Sequence, residues 1–188
     1  AFADRFVSYV AGRSKVTVWD AGCAMGPEPF SLAIVLAEKM GPFAFRNLRI
    51  LATDVDTTAQ FGEIIAHGEY PSESLSRIPP RYVDLYFEPG SSDDLRRVRE
   101  AVRSRVSYRR HDLLSLVPPQ TGISGILCKN VLLHFRAAER VAVIRMFHDA
   151  LLPDGILAFE QTQEMPPELR DRFRQVAADA RVFRKEPN

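Results

Sequence analysis

Val16-Thr17-Val18-Trp19-Asp20-Ala21-Gly22-Cys23-Ala24-Met25-Gly26-Pro27-Glu28-Pro29-Phe30-Ser31 is the stretch whose reading decides the fold. The β-branched and aromatic run Val16 to Trp19 reads as a strand closed by an acid, and Leu32, Ile34, Val35 and Leu36 continue as an apolar helical pattern. Between them Ala21, Gly22, Ala24 and Gly26 keep side chains out of a tight turn, so a ligand could lie against bare backbone. The spacing is not Gly-x-Gly-x-x-Gly, which argues against a dinucleotide with its pyrophosphate at the helix N-terminus. S-adenosylmethionine (SAM), with a ribose and a methionine part but no phosphate, fits better.

Working outward, Leu48 to Asp54 is a second short apolar run closed by an acid. A carboxylate at that strand end can accept hydrogen bonds from both ribose hydroxyls, the role expected of Asp54. Asp56, which opens Asp-Thr-Thr, reads instead as a helix cap.

The 188 residues, 46% hydrophobic and 26% charged, are enough for one substantial core. A net charge of +1 gives no general case for nucleic acid. No apolar run approaches the roughly 20 residues that span a bilayer, and the first residues lack a signal peptide's pattern, so the expected location is cytoplasmic, without membrane insertion. Cys23 and Cys128 lie far apart without Cys-x-x-Cys spacing and read as buried thiols, with no metal site expected. The chain starts without Met, as a fragment or processed chain would.

Phe2, Phe6, Val7 and Val10 are spaced as one face of a helix over Ala1 to Ala11. Helices are expected over Pro29 to Met40, closed by Gly41-Pro42, and over Thr57 to His67, closed by Gly68. Between Arg81 and Arg110 the runs Tyr82 to Phe87, Leu95 to Val98 and Val102 to Tyr108 read as short antiparallel strands. The main alternation resumes with a strand entering a loop over Val106 to Leu113, and strands follow at Ile123 to Asn130, Ile156 to Phe159 and Arg181 to Arg184, with helices over Ala137 to Leu151 and Pro166 to Ala180. This alternation predicts an α/β fold, a doubly wound and mainly parallel sheet, in a single domain over residues 1–188 with a small antiparallel β insert at about 81–110.

With these residues assembled, the chain resembles the CheR family, the SAM-dependent methyltransferases that esterify glutamates on bacterial chemotaxis receptors. Ala21 to Ala33 is similar to that family's Ala-Ala-Cys-Ser-Thr-Gly-Glu-Glu-Pro-Tyr-Ser-Leu-Ala, and Ala52 to Asp56 to its Ala-Thr-Asp-Ile-Asp. Cys128 to Phe135 is similar to its Cys-Arg-Asn-Val-Leu-Ile-Tyr-Phe, and Leu152 to Gly155 to its Pro-Gly-Gly turn.

The resemblance implies a Rossmann-like methyltransferase that binds SAM and releases S-adenosylhomocysteine. It implies cofactor contacts at Ala21, Gly22, Glu28, Asp54, Asp112, Leu113, Asn130 and Val131, with Asp54 on the ribose and Asp112-Leu113 framing the adenine. Lys129 and His134, where the family has Arg and Tyr, take the catalytic positions, and Lys129 should point past the sulfonium toward a substrate carboxylate or toward Glu160. Taken alone, Glu28 also reads as a helix-start acid favoured by the dipole, Asp112 as a loop acid, Asn130 as a turn residue and His134 as a packed histidine.

The departures fall on the substrate side. The family's N-terminal helical domain and its Thr-x-Phe-Phe-Arg segment have no counterpart, and its Gly-His-Ser-Glu reads Glu160-Gln161-Thr162-Gln163. The implied partner is an acidic protein substrate, such as a chemoreceptor's cytoplasmic region, which the arginines between Arg96 and Arg110 would suit. Nucleic acid is not expected, because Tyr82, Tyr86 and Phe87 fall where they should pack. A methyltransferase of another substrate and a non-catalytic SAM-binding or docking module are the alternatives.

Overall fold

In this computed structural model, which describes residues 1–187, the chain runs α1 (Phe2–Val10), β1 (Val16–Ala21), α2 (Pro27–Phe45), β2 (Leu48–Asp54), α3 (Phe61–His67), β3 (Glu69–Pro71), α4 (Pro80–Tyr86), β4 (Phe87–Pro89), β5 (Leu95–Val98), α5 (Glu100–Arg103), β6 (Val106–Arg110), β7 (Ile123–Cys128), α6 (Ala137–Ala150), β8 (Leu151–Phe159), β9 (Phe173–Gln175) and β10 (Val182–Lys185). Two sheets result, a seven-stranded one ordered β6-β2-β1-β7-β8-β10-β9 and a three-stranded one ordered β3-β5-β4. From β6 to β8 every pairing is parallel, whereas β10 runs antiparallel to both β8 and β9. The strand order reverses direction at β1, between β2 and β7, which is where an open α/β sheet leaves a crevice beyond its strand C-termini.

β1 is buried along its whole length, as a central strand covered on both faces must be. Val16 and Val18 join Phe6 of α1 and Leu36 of α2 in the core on one face. Trp19 and Ala21 point the other way, into a second core with Ile144 and Phe147 of α6. α1 seats on β7 because Gly125 has no side chain. A Cβ there would come within 2.7 Å of the Phe6 ring.

Four expectations change. Tyr82 to Phe87 is not a strand. Pro80 occupies the first turn of α4, a position its missing N–H suits, and extended structure starts only at Phe87. Val102 to Tyr108 is not one strand of the insert but divides into α5 and β6; β6 pairs with β2 in the main sheet, as expected of the strand from Val106, and the small sheet spans 69–98 rather than 81–110. α3 begins at Phe61 rather than Thr57, because the Asp56 carboxylate takes the N–H groups of Gln60 and Phe61.

The helix expected over Pro166 to Ala180 is replaced by a 3-10 turn at Pro167–Leu169 and by β9. Leu169, Phe173 and Ala177 are all buried and mimic a helical spacing of four, but β10 has a free edge and backbone pairing to it wins. Elsewhere the expected helix before Gly41 is present. Gly41 breaks it with φ 74° before one more turn.

Phe6→Ala should lower the unfolding free energy by about 3 to 5 kcal/mol, because the ring is fully buried between α1 and β7 and nothing nearby can fill its volume. Urea titration followed by circular dichroism measures this, with a loss below 1 kcal/mol contradicting the packing described.

Candidate functional site

The parallel strands end together around a cavity of about 740 Å3. The turn after β1 contributes Gly22, Cys23, Ala24, Pro27 and Glu28, and the end of β2 contributes Thr53, Asp54 and Val55. The loop after β6 adds His111 to Leu114, and the segment after β7 adds Lys129, Asn130, Val131, His134 and Phe135. Of the cofactor-binding and catalytic residues that the resemblance implies, Ala21 alone is outside this lining, and Gly26 of the turn is outside it as well. Ala21 is fully buried in the α6-side core, beneath the cavity rather than in it.

The turn is fixed by the neighbouring strand. Gly22 and Cys23 donate their N–H groups to Thr53 O at 2.8 and 3.0 Å. Ala24 N–H donates to Asp54 Oδ2 at 3.0 Å, and Asp56 N–H to Asp54 Oδ1 at 3.1 Å. Each Asp54 oxygen thus keeps a second lone pair for a ligand hydroxyl. Gly22 has φ 94°, and a Cβ on it would run into the Val131 side chain. The glycine therefore admits Val131 over the turn, a packing reason that stands beside the ligand contact expected from sequence, since Gly22 also lines the cavity.

Lys129 Nζ donates to Glu28 Oε2 at 2.7 Å, so the expected orientation toward Glu160 is not the one adopted. Glu160 Oε2 instead accepts the N–H of Asn130, at 3.1 Å, and Asn130 holds φ 56°, the left-handed turn conformation its side chain tolerates. Asp112 Oδ1 caps the 3-10 turn at Leu113–Ser115 by accepting Leu114 N–H. Leu113 is buried there. His134 is exposed at the end of the 3-10 turn Leu132–His134, not packed in the core.

Sequence reasoning missed His111. Its Nε2 bonds to Val117 O at 2.8 Å and its ring stands edge-on to Trp19, whose Nε1 donates to Thr53 Oγ1 at 2.8 Å. The available signal was positional, since His111 follows β6 as Asp54 ends β2. The two thiols are buried, and desolvation pushes both up in pKa, which leaves them small apolar groups rather than nucleophiles.

The cavity lining carries three carboxylates, Glu28, Asp54 and Asp112, against one lysine and two histidines, His111 and His134. Such a set suits a ligand that offers hydroxyls, an ammonium and a sulfonium. A pyrophosphate would meet repulsion.

Comparison with known proteins agrees with this chemistry. The family model described as CheR methyltransferase, SAM binding domain, matches residues 3–182. A chemotaxis protein methyltransferase of Listeria innocua is 33% identical over 77% of this chain and 52% of its own length. That of Escherichia coli is 32% identical over 74% of this chain and 49% of its own. The chain thus spans about half the length of these relatives. Among solved structures, the rRNA methyltransferase aviRa of Streptomyces viridochromogenes is similar in fold, with TM-score 0.52, 15% identity, and coverage of 97% of this chain and 80% of that one.

Gly22→Val should leave the far-ultraviolet circular dichroism close to wild type while abolishing S-adenosylhomocysteine binding, because the new side chain must displace Val131 and distort a turn held at positive φ. Calorimetry decides it, and full affinity in the variant would remove the turn from the binding site.

Proposed function

This chain belongs to the CheR methyltransferase family, whose SAM-binding domain it carries, and on that premise we propose that it transfers a methyl group to a glutamate carboxylate of an acidic protein, such as a chemoreceptor's cytoplasmic region, giving a methyl ester. The observation that carries the proposal is the Glu28 and Lys129 pair inside a cavity that also holds Asp54 and Asp112. When bound, SAM supplies a methyl group on a sulfonium leaving group, so an ionised acceptor needs orientation and desolvation rather than a strong base.

In this reading Asp54 holds the ribose hydroxyls with its two spare lone pairs, and Asp112 and Leu113 border the adenine. Glu28 receives the cofactor's ammonium group. That exchange frees Lys129, whose cation can then receive the substrate carboxylate, as a point charge rather than the two-pronged fork of an arginine. His134, exposed at the cavity edge, is placed to donate a hydrogen bond to the same substrate.

Asp54→Ala should weaken S-adenosylhomocysteine binding by about 2 to 3 kcal/mol if each lost charge-assisted bond contributes about 1.5. Unchanged affinity by calorimetry would take Asp54 out of the site. Lys129→Ala removes the competitor for Glu28, so cofactor affinity should hold or rise while the KM for an acidic receptor fragment climbs. Lys129→Arg should keep methyl-ester formation. Radiolabelled methyl transfer reads both, and a KM indifferent to Lys129 would remove it from substrate binding.

A further inference from the structure

Asp20 is buried where a carboxylate ought not to survive. It closes β1 on the face that carries α2, is fully inaccessible to solvent, and neither of its oxygens has a hydrogen-bond donor. Glu28 Oε1, on α2, is buried and without a donor as well, while Glu28 Oε2 is taken by Lys129. The Asp20 and Glu28 carboxyls lie within hydrogen-bond reach of each other. Three orphaned acceptor atoms in one place have a simple resolution, a proton between the two acids.

We propose that Asp20 is a positioning residue whose protonated carboxyl donates to Glu28 Oε1, turning Oε2 into the cavity as the seat of a ligand's ammonium group, a seat that Lys129 fills in the free protein. Were both acids ionised, two carboxylates would touch in a dry site and one would lack any donor, an arrangement whose cost is relieved by keeping one proton.

The charges around Asp20 point the same way. Burial, the Glu28 charge and the hydrogen bond to Glu28 raise its pKa well above the ordinary carboxylate range. Asp54 at the end of β2 adds to this, and Lys129 after β7 opposes it without prevailing. Cys23 in the turn and Cys128 on β7 are pushed up chiefly by burial, with Asp20 adding to it after Glu160 in the case of Cys128, and both stay neutral.

The sign of the pH dependence follows. Below the unfolded-state pKa near 4, Asp20 is protonated in both states, and its contribution to folding is fully present. As pH rises, the unfolded chain ionises Asp20 freely while the folded chain does not. The folding equilibrium therefore loses about tenfold per pH unit from this group until its folded-state pKa is reached. Asn cannot ionise, yet its amide still donates to Glu28 Oε1.

The ammonium seat rests on the proposed cofactor site, whereas the shared proton belongs to the free protein, and the experiment separates them. Urea unfolding of the whole chain is compared for wild type, Asp20→Asn and Asp20→Leu from pH 4 to 8. The ratio of the Asp20→Asn to the wild-type folding constant should grow by up to about tenfold per unit. A ratio independent of pH would overturn the shared proton.

S-adenosylhomocysteine affinity at pH 7 should stay within about threefold of wild type in Asp20→Asn and fall by at least about tenfold in Asp20→Leu, which leaves Glu28 unheld. Should Asp20→Leu not fold, Asp20→Asn alone decides, and a loss above about tenfold there would overturn the positioning role. If wild type itself fails to bind the ligand, the cofactor reading falls and the ammonium seat with it, while the unfolding ratio still decides the proton.

Discussion

The turn after β1 depends on β2. Three consecutive N–H groups, from Gly22, Cys23 and Ala24, are satisfied by the carbonyl of Thr53 and the carboxylate of Asp54. The chain there is neither strand nor helix, and buried backbone donors without partners would cost it its shape. Because both acceptors sit at the C-terminus of the adjacent parallel strand, the parallel register of β1 with β2 is itself what sets the turn, with Ala21 opposite Thr53. The start of α2, and so the place of Glu28, is set by that turn. Tyr70 adds a brace from the small sheet, its hydroxyl donating to Met25 O at 3.0 Å.

This arrangement selects for a cofactor by charge. A phosphate-binding turn offers free N–H groups at a helix N-terminus, whereas here the N–H groups of the turn are already committed to β2. What faces the cavity is a set of acceptors, and acceptors recognise hydroxyls and cations. The same logic explains why Lys129 lies on Glu28. A cavity with several acids takes in whichever cation is nearest, and in the free chain that is its own side chain.

Much of this was legible. β1, β2 and their terminal acids were readable because buried parallel strands are apolar runs with abrupt ends, and the linked motifs around Gly22, Asp54 and Asn130 lie on consecutive strand ends. Buried positions at intervals of four over Leu169 to Ala177 look helical in one dimension, and only the open edge of β10 makes them β9 and its flanks. The partner of Lys129 was illegible for a related reason. Glu28 opens α2 and Glu160 follows β8, far apart in sequence, and only the folded chain shows that the ammonium reaches Glu28 while Asn130 N–H takes Glu160 Oε2. Asp20 read as a strand terminator because nothing in its local sequence says that its side chain lies on the α2 face, directly opposed to Glu28.

The arginines between Arg96 and Arg110 carry the same lesson into the question of a partner. Arg97 pairs with Glu69, and Arg103 with Glu100 at 2.6 Å, so these charges are matched within the small sheet and α5. Arg105, Arg109 and Arg110 donate instead to the carbonyl oxygens of Arg46, Pro119 and Val55. A carbonyl fixes a guanidinium in place without neutralising it, so these three keep their full charge while losing much of their freedom. They are on or just before β6, the outer strand of the main sheet, and Val55 lines the cavity. Arg109 and Arg110 stand at the C-terminal end of β6, the end nearer the cavity, whereas Arg105 stands at its N-terminal end and Arg96, which also donates to carbonyl oxygens, stays on the small sheet, so the uncompensated charge is divided between these places. A held charge also steers better than a mobile one of equal size, since no side-chain entropy is lost when the partner arrives.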